Sequence, residues 1–378
     1  MTGSASKKIG VGIVGASANR GWAGVAHIPA IQSLDAFEIR AVSTTRIESA
    51  QATADRLGVD LAFANHQALV ARPEVDLVVV AVKVPEHHRI VSDALAAGKM
   101  VYCEWPLARN LWEAEELASL ARDRRLRTVV GLQGALHPPI RYLADLVRQG
   151  VIGRPISTSI RARPTEEMWT GRFDPPFAYM ARAETGATFL SIAVGHALEP
   201  LARVLGGFES LSAVVANQRG DGVRLSDGAV LPKDASDEIV VAGILEGGIV
   251  ASLHYSAGLP AGPAMVWEIQ GNDGSLRVET ATGYFHFGDL AITCRRGREP
   301  VQRLTVPPTY SASDLPIGGG ALGVARLYAQ FAADLRDGTA LTPDFAVARA
   351  RQRELQAIIE AAETGRRQQV TSARNPTP

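Results

Sequence analysis

Apolar and polar positions follow two different rhythms along this chain. Up to about residue 134, short apolar runs at Ile9–Val14, Glu38–Ser43, Asp76–Val82, Met100–Cys103 and Thr128–Leu132 alternate with stretches of helical period. The helical stretches are about Trp22–Ser33, Ile47–Leu57, Glu86–Ala97 (closed by Gly98) and Leu111–Arg122. The near-continuous β-branched run Asp76–Val82, DLVVVAV, marks a parallel strand covered on both faces. Strand and helix in strict alternation predict a doubly wound α/β domain over residues 1–134. After a helix at Pro139–Gln149 the rhythm changes to strands spaced by turns. These lie at Ile156–Arg163, Leu211–Ala216, Glu238–Leu245, Gly248–Ser256, Met265–Gly271, Ser275–Thr280 and Tyr284–Phe287. Hairpin turns fall at Glu246-Gly247-Gly248 and Asn272-Asp273-Gly274. Glu166–Glu184 reads as irregular and aromatic, and Phe189–Leu205 as a helix. Helices at about Gly323–Leu335 and Phe345–Glu363 close the chain. Residues 135–378 are thus expected to form an α+β domain with an open, mostly antiparallel sheet.

The first strand runs into a glycine-rich turn, KIGVGIVGASANRGWAGVAH from Lys8 to His27. Strand, glycine turn and helix together present helix N-terminal N–H groups to a phosphate. Gly15 holds its place in the dinucleotide fingerprint, Ser17 stands where the second glycine belongs, and Gly21 comes one residue late. An ordinary strand-to-helix turn would read the same way. The candidate cofactor contacts here are Gly12, Gly15, Ser17, Ala18, Asn19 and Trp22. The second strand ends in Thr44, Thr45 and Arg46, where an NAD-preferring fold places an acid on the ribose 2′-hydroxyl. Hydroxyls and an arginine suit a 2′-phosphate, so NADP is expected ahead of NAD; alternatively Arg46 is a solvated first-turn residue. Further contacts are expected beyond the strand C-termini, at Val82, Lys83, Val84, Pro85, His88, Glu104, Trp105 and Gln133.

Charge and cysteine content narrow the classes. Lys plus Arg equals Asp plus Glu at 39 each, which argues against nucleic acid or anionic lipid as a direct partner. Two cysteines, Cys103 and Cys294, cannot build a disulfide framework or a cysteine zinc site, so a reducing, cytoplasmic setting is expected. No apolar run approaches the roughly 20 residues that cross a bilayer, and no apolar signal segment follows Met1. Metal-ligand spacings and a serine nucleophile elbow are absent, so no metal is expected.

The chain resembles the Gfo/Idh/MocA oxidoreductase family over nearly its whole length. The resemblance rests on Gly12 and Gly15, Val84-Pro85 with His88, Glu104 with Pro106, Val151-Ile152-Gly153, His196, Gly271 to Ser275, and Pro343-Asp344. Within the family it looks most like the branch of the yeast galactose-regulon repressor, through Gly21-Trp22-Ala23, Val82 to His87, Leu132-Gln133-Gly134 and Gly195-His196. The resemblance implies an NAD(P)-dependent oxidoreductase acting on a small molecule: a sugar, polyol or related carbonyl compound. A non-catalytic cofactor-binding regulator is the alternative, and redox-assisted elimination or epimerisation with retained cofactor is a third. It also implies a homo-oligomer, dimer or tetramer, paired through the sheet of the second domain. Val240, Ala242, Ile249 and Ala251 are expected on that face.

Two departures bear on chemistry. Trp105 stands where family dehydrogenases carry the lysine that polarises the substrate oxygen, and Leu190–Val194 holds no acid where the family places an aspartate. Acid or base work then falls first to His196, with Glu199 three residues on as a partner to orient it, and next to the phenol of Tyr179. The same His196–Glu199 pair also reads as a helix-buried histidine with a satisfied partner. Trp105, His137, Trp169, Phe173, Tyr179 and His196 are the candidate substrate contacts, each equally readable as packing or loop residues.

Overall fold

The computed structural model describes residues 7–17, 21–220, 222–311 and 315–370. The chain divides into two compact units, Met1–Leu136 with Ser313–Arg349, and His137–Ala312 with Ala350–Pro378. The segment Ser313–Arg349, which the hydropathy pattern grouped with residues 135–378, therefore belongs to the first unit.

The first unit is built on six parallel strands, β1 (Ile9–Val14), β2 (Phe37–Ser43), β3 (Leu61–Phe63), β4 (Leu77–Val80), β5 (Met100–Cys103) and β6 (Thr128–Val130). Their order is β3-β2-β1-β4-β5-β6, the doubly wound arrangement whose direction reverses between β1 and β4. The crossovers carry α1 (Ile28–Gln32), α2 (Ile47–Leu57), α3 (His66–Val70), α4 (His87–Ala96) and α5 (Leu111–Asp123). Every residue of β4 is buried, as expected of a strand covered on both faces. Gly12 is required for close approach, because a Cβ there would lie 2.7 Å from Leu69 Cδ2.

The second unit opens with α6 (Pro138–Arg148) and β7 (Pro155–Ala162). The aromatic stretch after β7 forms short 3-10 turns and β8 (Arg172–Phe173). Then come α7 (Gly195–Leu205), β9 (Phe208–Ala216), β10 (Gly222–Leu225), β11 (Val230–Pro232), β12 (Glu238–Leu245), β13 (Ile249–Ser256) and β14 (Met265–Gly271). The remaining strands are β15 (Gly274–Thr280), β16 (Ala291–Arg296), β17 (Gln302–Leu304) and β18 (Gln368–Gln369). Nine strands make one sheet in the order β17-β16-β15-β14-β7-β13-β12-β9-β18, antiparallel except where β7 meets β13. A smaller sheet runs β11-β10-β8. Two expectations are corrected. Tyr284–Phe287 is a bent segment rather than a strand, and the next strand starts at Ala291. The sheet's open face carries Val240 (40% exposed), Val250 (56%) and Val214 (63%), whereas Ile249 (7%) and Ala251 (1%) point inward. Successive side chains alternate between faces, so Ile249 and Ala251 cannot share a face with Val240 and Ala242 in the observed register, Val240 opposite His254 and Ala242 opposite Ser252.

Helix α8, Gly319–Asp337, returns to the first unit. Its buried residues Val324, Ala325, Tyr328 and Phe331 follow helical spacing and join the core with Ile13, Ile31 and Tyr102. Asp334, near its end, accepts hydrogen bonds from the side chains of Gln330, Thr339 and Thr342 and from the backbone N–H groups of Leu341 and Thr342. These donors favour the ionised form and hold the Asp334 carboxyl at about 2, against an ordinary 3.8, although burial opposes them. The resulting stability, about 2 kcal/mol, is complete above pH 4 and is lost as the pH falls towards 2. Acid titration of the folded state followed by circular dichroism should show this loss, and Asp334→Asn should flatten it. Helix α9, Phe345–Thr364, places Arg351 and Glu354 in the second unit, where Arg351 donates to the Leu198 carbonyl and Glu354 accepts from the Phe208 amide.

Candidate functional site

In the first unit the candidate residues gather where the strand order reverses. Gly15 has φ +89°, and a Cβ there would come within 2.5 Å of the Ala81 carbonyl oxygen, so the turn needs glycine. The Gly15 and Ala16 amides both donate to the Ser43 carbonyl, at 2.9 and 3.2 Å, and tie this turn to the end of β2. Ser17 follows, half-buried, while Ala18 and Asn19 lie outside the described residues. At the β2 tip, the Thr44 hydroxyl donates to the Arg46 carbonyl and meets Ser49 Oγ. Thr45 and Arg46 are exposed, with Arg46 in an extended conformation at the N-cap of α2. Hydroxyls and a guanidinium, with no carboxylate between Ser43 and Arg46, form a donor set that fits a phosphorylated ribose.

The β4 tip passes from the half-buried Val82 through exposed Lys83 to a 3-10 turn, Val84–Glu86, that includes Pro85. His87 then reaches back. Its ring nitrogens lie 2.9 Å from the Pro106 carbonyl and 3.1 Å from the Val82 carbonyl, joining the β4 and β5 tips. Burial lowers its pKa, with those two carbonyls opposing. His88, the histidine expected at the cofactor, instead faces α5, where it meets Glu116 at 2.9 Å and stacks on Trp112. Trp22 packs against the backbone at Gly320, where a Cβ would lie 2.5 Å from its ring.

Beyond β5, Glu104 anchors a buried network. One carboxylate oxygen lies 2.9 Å from His27 Nε2 and the other accepts from Gln133 Nε2 at 3.2 Å. His27 Nδ1 is 2.9 Å from the Tyr328 hydroxyl, and the Tyr102 ring packs on both His27 and Tyr328. Burial, reinforced by the Glu104 charge, pushes the Tyr102 and Tyr328 phenols and the Cys103 thiol well up. All three stay protonated at neutral pH. Trp105 itself is 6% exposed, so its indole is buried.

The second unit has its own cluster. A π-helical turn, Leu190–Val194, leads into α7, a local widening that recurs at functional sites. His196 on α7 stacks on His286, with ring centroids 4.1 Å apart and planes at 30°. His286 lies in the bend that the hydropathy pattern misread, between Gly283 (φ +76°) and Gly288 (φ +70°). Burial first, then the neighbouring His196 and His137, drive its pKa well below the ordinary value. Tyr284 and Phe287 pack around the His286 ring at 5.2 and 4.1 Å. Trp169 Nε1 donates to the Tyr284 hydroxyl at 2.8 Å, and Tyr284 also bonds to Glu166, whose carboxyl burial raises. His137, Trp169 and His196 therefore belong to one cluster, together with three residues the sequence reading missed: Glu166, Tyr284 and His286. The one signal for them was a histidine flanked by aromatics between two glycines, GYFHFG.

The other candidates are placed differently. Glu199 is engaged by Arg203 Nε at 2.8 Å and by Arg351 Nε at 3.8 Å, in an ion-pair network. Phe173 is buried in the small sheet, on β8. Tyr179 is half-buried, and burial pushes its phenol up to about 12. Among the described residues no group of three or more His, Cys, Asp or Glu side chains is placed to hold a metal ion, and no helix is long and apolar enough to cross a membrane.

Comparison with known proteins agrees with this two-part layout. Residues 9–132 match the family model described as an oxidoreductase family with an NAD-binding Rossmann fold, and residues 138–280 match that of the Gal80p C-terminal domain. The galactose/lactose metabolism regulatory protein GAL80 of Kluyveromyces lactis is 29% identical over 76% of this chain and 67% of its own length. Dehydrogenase aclE of Aspergillus oryzae is 36% identical over 55% of this chain and 58% of its own. Among solved structures, a super-repressor mutant of Gal80p from Saccharomyces cerevisiae superposes with a TM-score of 0.84 at 25% identity, covering 96% of this chain and 98% of that one. Similar proteins thus include both a dehydrogenase and a regulator.

Proposed function

Because this chain belongs to the Gfo/Idh/MocA oxidoreductase family, near its Gal80 branch, we propose that it is an NAD(P)-dependent oxidoreductase acting on a neutral sugar, polyol or related carbonyl compound. The observation that carries the catalytic reading is the cluster of half-buried His137 with buried His196 and His286, which keeps titratable rings in a chain that lacks the usual lysine and aspartate. Gly15, Ser17, Thr44, Thr45, Arg46 and the Val82–Pro85 tip would hold the dinucleotide, which when bound would supply a hydride donor or acceptor. His196 passes a proton to or from the substrate oxygen, Tyr179 is the reserve donor, and Trp169 excludes water. The regulator reading is favoured by a different observation, the indole of Trp105 in place of the ammonium.

Absorbance of the purified protein in the reduced-nicotinamide band, followed by a panel of sugars and polyols, separates the readings. Turnover with net cofactor change supports the oxidoreductase. Tight cofactor with no turnover supports the regulator, and substrate loss without net cofactor change supports redox-assisted elimination or epimerisation. Calorimetry should show NADP binding more tightly than NAD, with Arg46→Ala narrowing the ratio. An unchanged ratio would remove the 2′-phosphate assignment.

We further propose a homo-oligomer, a dimer at least, paired through the open face of the nine-stranded sheet. Val214, Val240 and Val250 supply exposed apolar area there, with the small Ala242 beside them. Light scattering at micromolar concentration should give at least twice the chain mass, and a monomer there would overturn this.

A further inference from the structure

We propose that the small sheet of the second unit carries a binding site for a free α-amino acid with an apolar side chain, outside the histidine cluster. A cavity of about 440 Å³ opens there, within the size range of small-molecule sites. Its lining includes Glu167 and Met168 from the 3-10 turn Glu167–Thr170, Arg172 on β8, Asp174 and Phe177 just after it, and Arg224 on β10. Trp169, on the same turn, donates instead to Tyr284 in the histidine cluster. The proposal does not rest on the catalytic reading.

Register sorts the charges in this cavity. β8 and β10 run parallel, with Arg172 directly opposite Arg224. The Arg224 amide donates to the Gly171 carbonyl at 3.0 Å and the Ser226 amide to the Phe173 carbonyl at 3.1 Å, which fixes that pairing. Like charges opposite one another on neighbouring strands repel. Neither guanidinium has an ion pair or a side-chain hydrogen bond among the described residues to offset this. Side by side, the two present a row of N–H donors that suits both oxygens of one carboxylate. Asp174 stands two residues on from Arg172 in extended backbone, so its side chain leaves on the same face, roughly 7 Å further along. Glu167 joins the lining from the turn, and neither carboxylate is paired among the described residues.

This arrangement selects a zwitterion. A simple anion drawn to the arginines would also meet two carboxylates, and a simple cation drawn to the acids would meet two guanidiniums. An α-amino acid offers each its complement: the carboxylate to Arg172 and Arg224, the ammonium to Asp174 and Glu167. Its side chain then falls to Met168 and Phe177. Phe177 is 41% exposed, and covering its ring removes apolar surface from water.

Calorimetry on the full chain with L-phenylalanine and L-leucine, without substrate or cofactor, tests this. Both should bind with a Kd in the micromolar to millimolar range. Phenethylamine, which lacks the carboxylate, and hydrocinnamic acid, which lacks the ammonium, should each bind at least roughly tenfold more weakly than L-phenylalanine, the scale of a lost charge-assisted contact. Arg172→Gln combined with Arg224→Gln should weaken L-phenylalanine by at least that factor, and Asp174→Asn should weaken it too. All three positions are exposed, and circular dichroism checks that the variants fold. The proposal is overturned if neither amino acid binds at millimolar concentration, or if the folded double variant binds L-phenylalanine as the parent does. It is also overturned if hydrocinnamic acid matches L-phenylalanine, which would mark a plain anion site, or if phenethylamine does, which would mark a cation site.

Discussion

His196→Ala should lower turnover by roughly 10²–10⁴-fold, the range expected for loss of a positioned acid or base. The loss should fall on kcat more than on cofactor affinity, because the groups assigned to the dinucleotide all lie in the first unit. Its pH–rate profile should also lose a limb. That limb can be assigned because the alternative group behaves differently: the Tyr179 phenol, pushed up to about 12, stays protonated across the working range and contributes no neutral limb. His196→Gln, which keeps a hydrogen-bonding amide but cannot titrate, should lose the limb while retaining some activity. Near-normal turnover of His196→Ala with an unaltered profile would refute the assignment and pass the role to Tyr179. Restoring the family lysine should not compensate. Trp105 is 6% exposed, so Trp105→Lys would place an ammonium in an interior shaped for an indole, where desolvation disfavours the charge that the substitution was meant to supply. Steady-state kinetics on the three variants, each checked for folding, measures all of this.

Asp237→Ala should destabilise the second unit by about 3–5 kcal/mol, the cost of stranding one member of a buried ion pair. Lys233 and Asp237 side chains are 5% and 1% exposed, with Nζ 2.6 Å from Oδ2. Lys233 also donates to Asn217. Asp237 accepts from the Gln218 and Arg219 amides at 2.8 and 3.1 Å, so one carboxylate organises both the lysine and the turn after β9. Removing it leaves a buried ammonium and two amides short of their acceptor. Asp237→Asn keeps an acceptor for the amides but not the charge, and should fall between parent and Asp237→Ala. The double change Lys233→Met with Asp237→Leu should recover much of the loss, because the desolvation cost of both charges then disappears. Denaturant midpoints for the four proteins test the order. An Asp237→Ala midpoint equal to the parent's would show that the pair contributes nothing.

The doubly wound half was legible in the sequence because its signals are local. A buried parallel strand is a continuous apolar run, and a crossover helix shows its period within about a dozen residues. Ile47–Leu57, Met100–Cys103, Glu238–Leu245 and Met265–Gly271 have the same limits in the pattern and in the structure. The chemical type of the β2 tip, Thr44-Thr45-Arg46, and the replacement of lysine by Trp105 could also be read directly, since each is a statement about one position. What pairs with what could not. Tyr284–Phe287 alternates in a way that imitates a strand, yet the left-handed glycines at 283 and 288 bend it, and only that bend brings His286 onto His196, 90 positions away. Glu199 sits one helical turn from His196, which made it a natural partner by spacing; Arg351, from a helix far along the chain, lies within ion-pair distance of it. Face assignment failed for the same reason at Ile249 and Ala251. Alternation along a strand tells which residues share a face but not which face is inward, and that is settled by register against β12 and by the packing beneath the sheet. Local periodicity therefore determined the elements and the fold class of this protein. Long-range contacts, whose partners are separated by tens to hundreds of residues and leave no periodic trace, decided its site.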